Sequence, residues 1–213
     1  MSDEKISSNE AIDAALHLDG DPEHVKEFYE DWAKNYNIDT TGSDYTGPTI
    51  AARLLHQHLT VKDSKLLDAG CGTGLVGVEL QALGYSNVDG FDLSDSMVEL
   101  AAATGAYRQV LGSIDMMRAT ESYPAASYDA ILSVGVFTLG HVPPEALNVL
   151  LRLTKVGGLL VISTRTHYYH QTNFQQVVDE LSTSQQAELI QLIEDAPYNN
   201  DGDGHYWVFR KSG

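Results

Sequence analysis

"LLDAGCGTGLVG", Leu66 to Gly77, decides how this chain is read: a short apolar strand runs into four glycines in eight residues. Glycine is conformationally costly, so this density marks a turn that something approaches closely. Three ligands would use such a turn: a nucleotide's phosphates, a dinucleotide, or a cofactor that brings no phosphate. A nucleoside-triphosphate loop needs Gly-Lys-Ser/Thr, and no lysine follows these glycines. Gly72, Gly74 and Gly77 do spell the dinucleotide pattern G-x-G-x-x-G, but that pattern opens almost at once after its strand. Counted from the strand end, the first glycine is Gly70 and the third falls on Leu75. The register is wrong for a dinucleotide.

Counted from the strand, Asp68 is an acidic residue followed by three alternating glycines, Gly70, Gly72 and Gly74. A carboxylate at the lip of the turn repels a pyrophosphate and favours an ammonium group. Asp92 ends the next strand, 24 residues after Asp68, where a carboxylate accepts hydrogen bonds from both hydroxyls of a ribose. A ribose site, an ammonium site and a close backbone together describe S-adenosylmethionine.

Outward from this motif the pattern is alternating strand and helix. "KLLDA", "NVDGFD", "YRQVLGSI", "YDAILSVGV" and "GGLLVIST" read as five strands, with helices striped by Val76 and Leu80, by Met97 and Leu100, and by Leu147 and Leu150 between them. Ser94 reads as the cap of the second of these helices. In the tail, a helix near "NFQQVVDELS" precedes "ELIQLIEDAPY" and "HYWVFRK", which read as an antiparallel hairpin closing the sheet. Toward the N-terminus, Asp21-Pro22-Glu23 is a helix start, followed by Val25, Phe28, Tyr29, Trp32 and Tyr36 on one face. "NIDTTGSDYTGP" reads as a polar loop, "TIAARLLHQHL" as a second helix, and residues 1 to about 20 as loose chain. The expected architecture is an α/β doubly wound sheet, with a helical cap over residues 1–60 and the core over 61–213.

Composition excludes partners and selects none. The 213 residues suffice for one α/β domain, and 30 acidic against 13 basic residues give a net charge of −17. Phosphate backbones attract Lys and Arg, so no nucleic-acid partner is expected, and the same charge repels anionic membranes. One cysteine and the absence of a basic-apolar leader fit a cytoplasmic protein.

"LLDAGCGTG", "FDLSDSMVELA", "YDAILSVGVF" and "LTKVGGLLVIS" resemble the successive motifs of class I S-adenosylmethionine-dependent methyltransferases over residues 65–165. "FYEDWAKNYNID", "DYTGP", "GHVPPEAL" and "LLVISTRT" resemble, more narrowly, the Williams–Beuren-region methyltransferase-like family. The resemblance implies a Rossmann-like, mostly parallel seven-stranded sheet of order 3-2-1-4-5-7-6. It implies that Asp68 and the backbone of Gly70, Gly72 and Gly74 hold the amino-acid end of S-adenosylmethionine; Cys71, inside the motif, is counted with the cofactor-binding residues but as a small thiol is assigned no chemistry. It places Asp92 on the ribose, Leu93 and Met97 beside the adenine, Ser113 and Ile114 at its far edge, and Ser133 and Val134 beneath the reacting methyl. Tyr36-Asn37 stands where the family has Tyr-Asp, so that aspartate's role is not carried over.

Of the aromatic stripe, Tyr29 and Trp32 read as core, with Trp32 also a candidate beside Tyr36 for the cofactor. Tyr36 and His141 are the catalytic candidates, His141 as a reserve general base. Tyr45, His141 and Arg165 are the substrate candidates, Arg165 for an anionic group. No metal site is expected; His167 and His170 lack a third ligand. The expected reaction is in-line methyl transfer to a small-molecule acceptor, releasing S-adenosylhomocysteine, by a monomer or dimer. No dedicated base stands out, which favours a reactive acceptor such as a carboxylate, thiolate or neutral amine. The alternatives are a non-catalytic S-adenosylmethionine-binding protein and a nicotinamide-dependent oxidoreductase. The second lacks the glycine register, and no Tyr-x-x-x-Lys is present.

Overall fold

The computed structural model describes residues 8–42, 44–200 and 202–213. Its strands are β1 (Leu66–Ala69), β2 (Val88–Phe91), β3 (Gln109–Leu111), β4 (Tyr128–Phe137), β5 (Thr154–Arg165), β6 (Ala187–Asn199) and β7 (Gly202–Lys211). Its helices are α1 (Ser8–Ala15), α2 (Pro22–Gly42), α3 (Gly47–His58), α4 (Leu75–Ala82), α5 (Asp95–Ala103), α6 (Ala146–Leu153), α7 (Thr166–Gln171) and α8 (Phe174–Thr183). The strands form one sheet of order β3-β2-β1-β4-β5-β7-β6, in which β7 runs antiparallel to both its neighbours. That is the architecture the family resemblance implied.

Period-2 alternation sorts the sheet's side chains onto two buried faces. Leu67, Ile131, Leu160, Ile162, Trp207 and Phe209 point to the layer that holds α6 and α8. Leu66, Leu132, Leu159, Val161, Tyr206 and Val208 point to the layer that holds α3 and α4. Because α3 supplies Ala51, Ala52, Leu54 and Leu55 to this core, it packs with the sheet, and the cap proper is α1 and α2. Among the described residues no helix is long and apolar enough to cross a membrane.

Two local readings need correction. Residues 8–15, read as loose, are helical: Ala11 and Ala15 pack on Trp32, and α1 thereby gains a tertiary partner that its own composition does not reveal. The helix expected to stop near Tyr36 runs on to Gly42. Thr40 Oγ1 donates to the Tyr36 carbonyl, and Trp32 Nε1 donates to Asp39 Oδ2 at 2.8 Å. These contacts hold the extra turn against weak helix formers such as Asn37 and Thr40. The expected start is present: the Glu23 amide donates to Asp21 Oδ1 at 2.8 Å.

Candidate functional site

The glycine loop between β1 and α4 leaves the sheet where β4 lies on one side and β2 on the other. Gly70 and Gly72 have φ of +75° and +51°, in the left-handed region. A Cβ at Gly72 would meet no atom within 4 Å, so the bare backbone there faces open space. Gly74 and Gly77 are small for a different reason: a Cβ at either would press on the Tyr107 ring. Tyr107 was not singled out in the sequence. Its hydroxyl donates to Asp68 Oδ2 at 2.6 Å and accepts from the Gly77 amide at 3.0 Å, so one side chain pins β1 to α4.

Asp92 is the pivot of the loop. Its Oδ2 accepts from the Gly72 amide at 2.8 Å and its Oδ1 from the Ser94 amide at 3.0 Å. Ser94 in turn caps α5 by accepting from Met97 N. Burial raises the Asp92 pKa; the Ser94, Gly72 and Leu93 backbone groups oppose it.

Two cavities meet beneath α2. The first encloses about 810 Å³, mouth included, and holds Gly70, Gly72, Asp92, Leu93, Met97 and Ile114 in its wall. The second, about 570 Å³, is walled largely by aromatic rings, among them Trp32, Tyr45 and Tyr198, with Thr138 and Arg165. Tyr29, Tyr36, Gly135 and His141 line both, so the cavities share this wall.

The candidate residues thus divide. Those named above for the first cavity gather there, and Tyr36 and His141 stand at the junction. Tyr45 and Arg165 line the second cavity, and Cys71 borders a smaller recess beside the loop together with Tyr36 and Tyr45.

Five further expected cofactor contacts lie outside the wall of the first cavity. Trp32 faces the second cavity, its indole N–H engaged by Asp39. Ser113 is bound outside the cleft by Asp95 and Lys26. Ser133 is fully buried with its hydroxyl on the Ala69 carbonyl, and Gly135 takes its place in the wall. Gly74 packs on Ala101 and Tyr107. Asp68 lies behind the loop, 1 % exposed, and lines neither cavity.

His141 is held at both ring nitrogens. Nδ1 lies 2.9 Å from the Leu139 carbonyl, which only accepts, so Nδ1 carries the hydrogen. Nε2 is therefore the acceptor, and Tyr29 donates its hydroxyl to it at 2.7 Å. Burial keeps the His141 pKa below its ordinary 6.5, against the Leu139 hydrogen bond, so the neutral ring dominates near pH 7.

α2 is strapped over the first cavity by charge. Lys26 Nζ pairs with Asp95 Oδ2 at 2.7 Å and donates to Ser113. Glu30 accepts from the amides of Asp95 and Ser96 at 2.7 and 3.1 Å and from the Ser96 hydroxyl, so a carboxylate sits at the positive N-terminus of α5. Asn37 accepts from Thr73 Oγ1 at 2.5 Å and ties α2 to the glycine loop.

A methyltransferase-domain family model matches residues 45–212. The chain belongs to the class I S-adenosylmethionine-dependent methyltransferases. Among curated relatives it is 37% identical over 142 residues to human methyltransferase-like protein 27, covering 66% of this chain and 57% of that one. This relative fits the narrower likeness to the Williams–Beuren-region family. This chain is 32% identical over 116 residues to the malonyl-[acyl-carrier protein] O-methyltransferase of Serratia marcescens, covering 54% of this chain and 44% of that one. The match thus spans little more than half of the human relative and less than half of the bacterial one. In fold, the chain resembles the [4+2]-cyclase SpnF, with TM-score 0.71, 16% identity and coverage of 92% and 97%. It also resembles a TehB-like SAM-dependent methyltransferase from Corynebacterium glutamicum, with TM-score 0.63, 23% identity and coverage of 90% and 100%.

Proposed function

We propose that this chain binds S-adenosylmethionine in the first cavity and transfers its methyl group to a small molecule held in the second. The observation that carries this is the shared wall: Tyr29, Tyr36, Gly135 and His141 border both spaces, so a donor and an acceptor would meet there. The residues fit the cofactor. Gly72 leaves its backbone bare toward the cavity, Asp92 retains lone pairs for two hydroxyl donors, and Leu93, Met97 and Ile114 offer apolar surface for a purine.

When bound, S-adenosylmethionine supplies a methyl group on sulfur that is already a good leaving group. The protein's part is then to hold the acceptor in line and exclude water, which is worth on the order of 7–11 kcal/mol of barrier. For an acceptor that arrives protonated, the Tyr29–His141 pair is a base. The acceptor's proton passes to the Tyr29 oxygen as the Tyr29 hydroxyl proton passes to His141 Nε2, and the imidazolium keeps its Nδ1–H on Leu139. Positioned bases of this kind contribute roughly 10²–10⁴-fold.

Calorimetric titration with S-adenosylhomocysteine, followed by a panel of small hydroxy, amino and thiol acceptors with S-adenosylmethionine, tests the reading. Binding of the product and turnover of at least one acceptor are expected; absence of either overturns it. With a hydroxyl acceptor, His141→Ala and Tyr29→Phe should each lower kcat about a hundredfold with little change in KM. The acid limb of the wild-type profile should lie below pH 6.5, because only the neutral ring accepts the proton. Wild-type turnover by His141→Ala across pH 6 to 9 would clear the pair of this role.

The strap on α2 predicts slow product release. Glu30→Ala removes the carboxylate that joins α2 to α5 and should speed release of S-adenosylhomocysteine at least fivefold in a stopped-flow displacement. An unchanged release rate would mean that α2 does not gate the cavity.

A further inference from the structure

Arg165 is 8 % exposed at the end of β5, in the wall of the second cavity. Its Nη1 donates to Asn199 Oδ1 at 2.7 Å, and its guanidinium carbon lies 4.9 Å from the centre of the Tyr198 ring. Among the described residues it forms no ion pair with any carboxylate, although the chain carries 30 of them. A buried cation without a counter-charge is costly, and structural arginines at such depth are ordinarily paired. Thr138 supplies a second and independent sign. It lines the same cavity at 7 % exposure, and its Oγ1 is buried with no hydrogen-bond partner among the described residues. Phe137, the last residue of β4, is in register with Thr164 of β5, so Thr138 just past the end of β4 and Arg165 at the end of β5 follow paired positions on neighbouring strands. A threonine whose hydroxyl has no hydrogen-bond partner among the described residues and a guanidinium without a carboxylate therefore line one aromatic-walled space.

We infer that the second cavity takes an acceptor with a planar aromatic body and a carboxylate, the carboxylate resting on Arg165 and Thr138 and the body between Tyr45, Tyr198 and Trp32. This rests on the reading of the second cavity as the acceptor site. One unpaired cation matches a monoanion, and the guanidinium fork matches the two oxygens of a carboxylate. Arg165 lines only the second cavity, whereas Tyr29 and His141 border both. The carboxylate is thus an anchor remote from the shared wall, and the atom methylated is at the other end of the ring system.

The test uses 2-naphthoate, 2-naphthamide and 2-naphthylmethylamine as probes, titrated into the full chain with and without saturating S-adenosylhomocysteine. Naphthoate should bind at least tenfold tighter than the amide, and the amine weaker still. In Arg165→Gln that preference should fall below twofold, while Arg165→Lys, which keeps the charge and loses the fork, should retain part of it. Melting temperatures of both variants report folding, and the wild-type ranking stands by itself if either variant is unstable. No detectable naphthoate binding, equal affinity for acid and amide, or a preference that survives in Arg165→Gln would each overturn the inference. Failure of S-adenosylhomocysteine to bind strikes the proposed function instead, since the naphthoate ranking without it still reads this site.

Discussion

Asp92→Ala is expected to weaken S-adenosylhomocysteine binding at least a hundredfold in a calorimetric titration. The two carboxylate oxygens each accept one backbone amide, from Gly72 and Ser94, each has a further lone pair, and Asp92 lines the first cavity. Hydroxyl groups that donate to a carboxylate are worth about 1.5–3 kcal/mol each, so losing two costs about 3 kcal/mol or more, and 1.4 kcal/mol is a factor of ten. The loss of the Gly72 anchor adds to this, because the left-handed turn at Gly72 is then held by one contact fewer. Circular dichroism and melting separate loosening of the loop from unfolding. An affinity within threefold of the wild type would place the ribose elsewhere and remove the first cavity as the cofactor site.

Asp68→Asn should act in the opposite sense, stabilising the ligand-free protein at alkaline pH. The Asp68 pKa is pushed up to about 7: burial raises it, the Tyr107 hydroxyl opposes, and the Asp92 charge adds to the rise. One of its oxygens is buried with no hydrogen-bond partner among the described residues. In the unfolded chain the group titrates near 3.8, so between that value and about 7 the folded state binds the extra proton. Stability linked to the neutral carboxyl is complete below pH 3.8 and is lost as pH rises through about 7. The difference between 3.8 and about 7 corresponds to about 4 kcal/mol as an upper bound. The amide introduced by Asp68→Asn keeps an acceptor for Tyr107 and never ionises, so the variant's melting temperature should exceed the wild type by several degrees at pH 8. The gap should shrink as pH falls and close only below about pH 3.8. Because Asp68 stands behind the loop, its substitution should change S-adenosylhomocysteine affinity less than tenfold. A gap in melting temperature that does not vary with pH would show that Asp68 is not held as a strained carboxyl. Strain of this sort at a functional turn is a known trade between stability and activity.

The two aspartates show how far residue order alone reaches. Both sit at the ends of adjacent parallel strands, as the spacing in the sequence requires, yet one lines the cavity and the other braces it from behind. Strand alternation fixes which face a side chain takes; it does not say which packed neighbour will cover that face. For Asp68 the neighbour is Tyr107, 39 residues away. Nothing in "GAYRQV" signals that its tyrosine reaches back to the first strand.

Trp32, Ser113 and Ser133 differ from expectation for the same reason. Each is at the right place along the chain and is turned to a partner the chain does not advertise: Asp39, Asp95 and the Ala69 carbonyl. α1 and the last turn of α2 depend on packing against each other and on single side-chain bonds, which outweigh weak local propensity.

From its sequence by itself, this protein's doubly wound sheet, the register of its glycine turn and the position of Asp92 at the end of the second strand could be read, because periodicity and spacing are local properties of a chain. The strand order was legible through the family motifs. The Tyr29–His141 pair spans 112 residues, and the unpaired Arg165 beside Thr138 joins the ends of two strands. Only folding brings such groups together and strips their water, and it is the loss of water that gives a buried hydroxyl, ring nitrogen or guanidinium its chemistry.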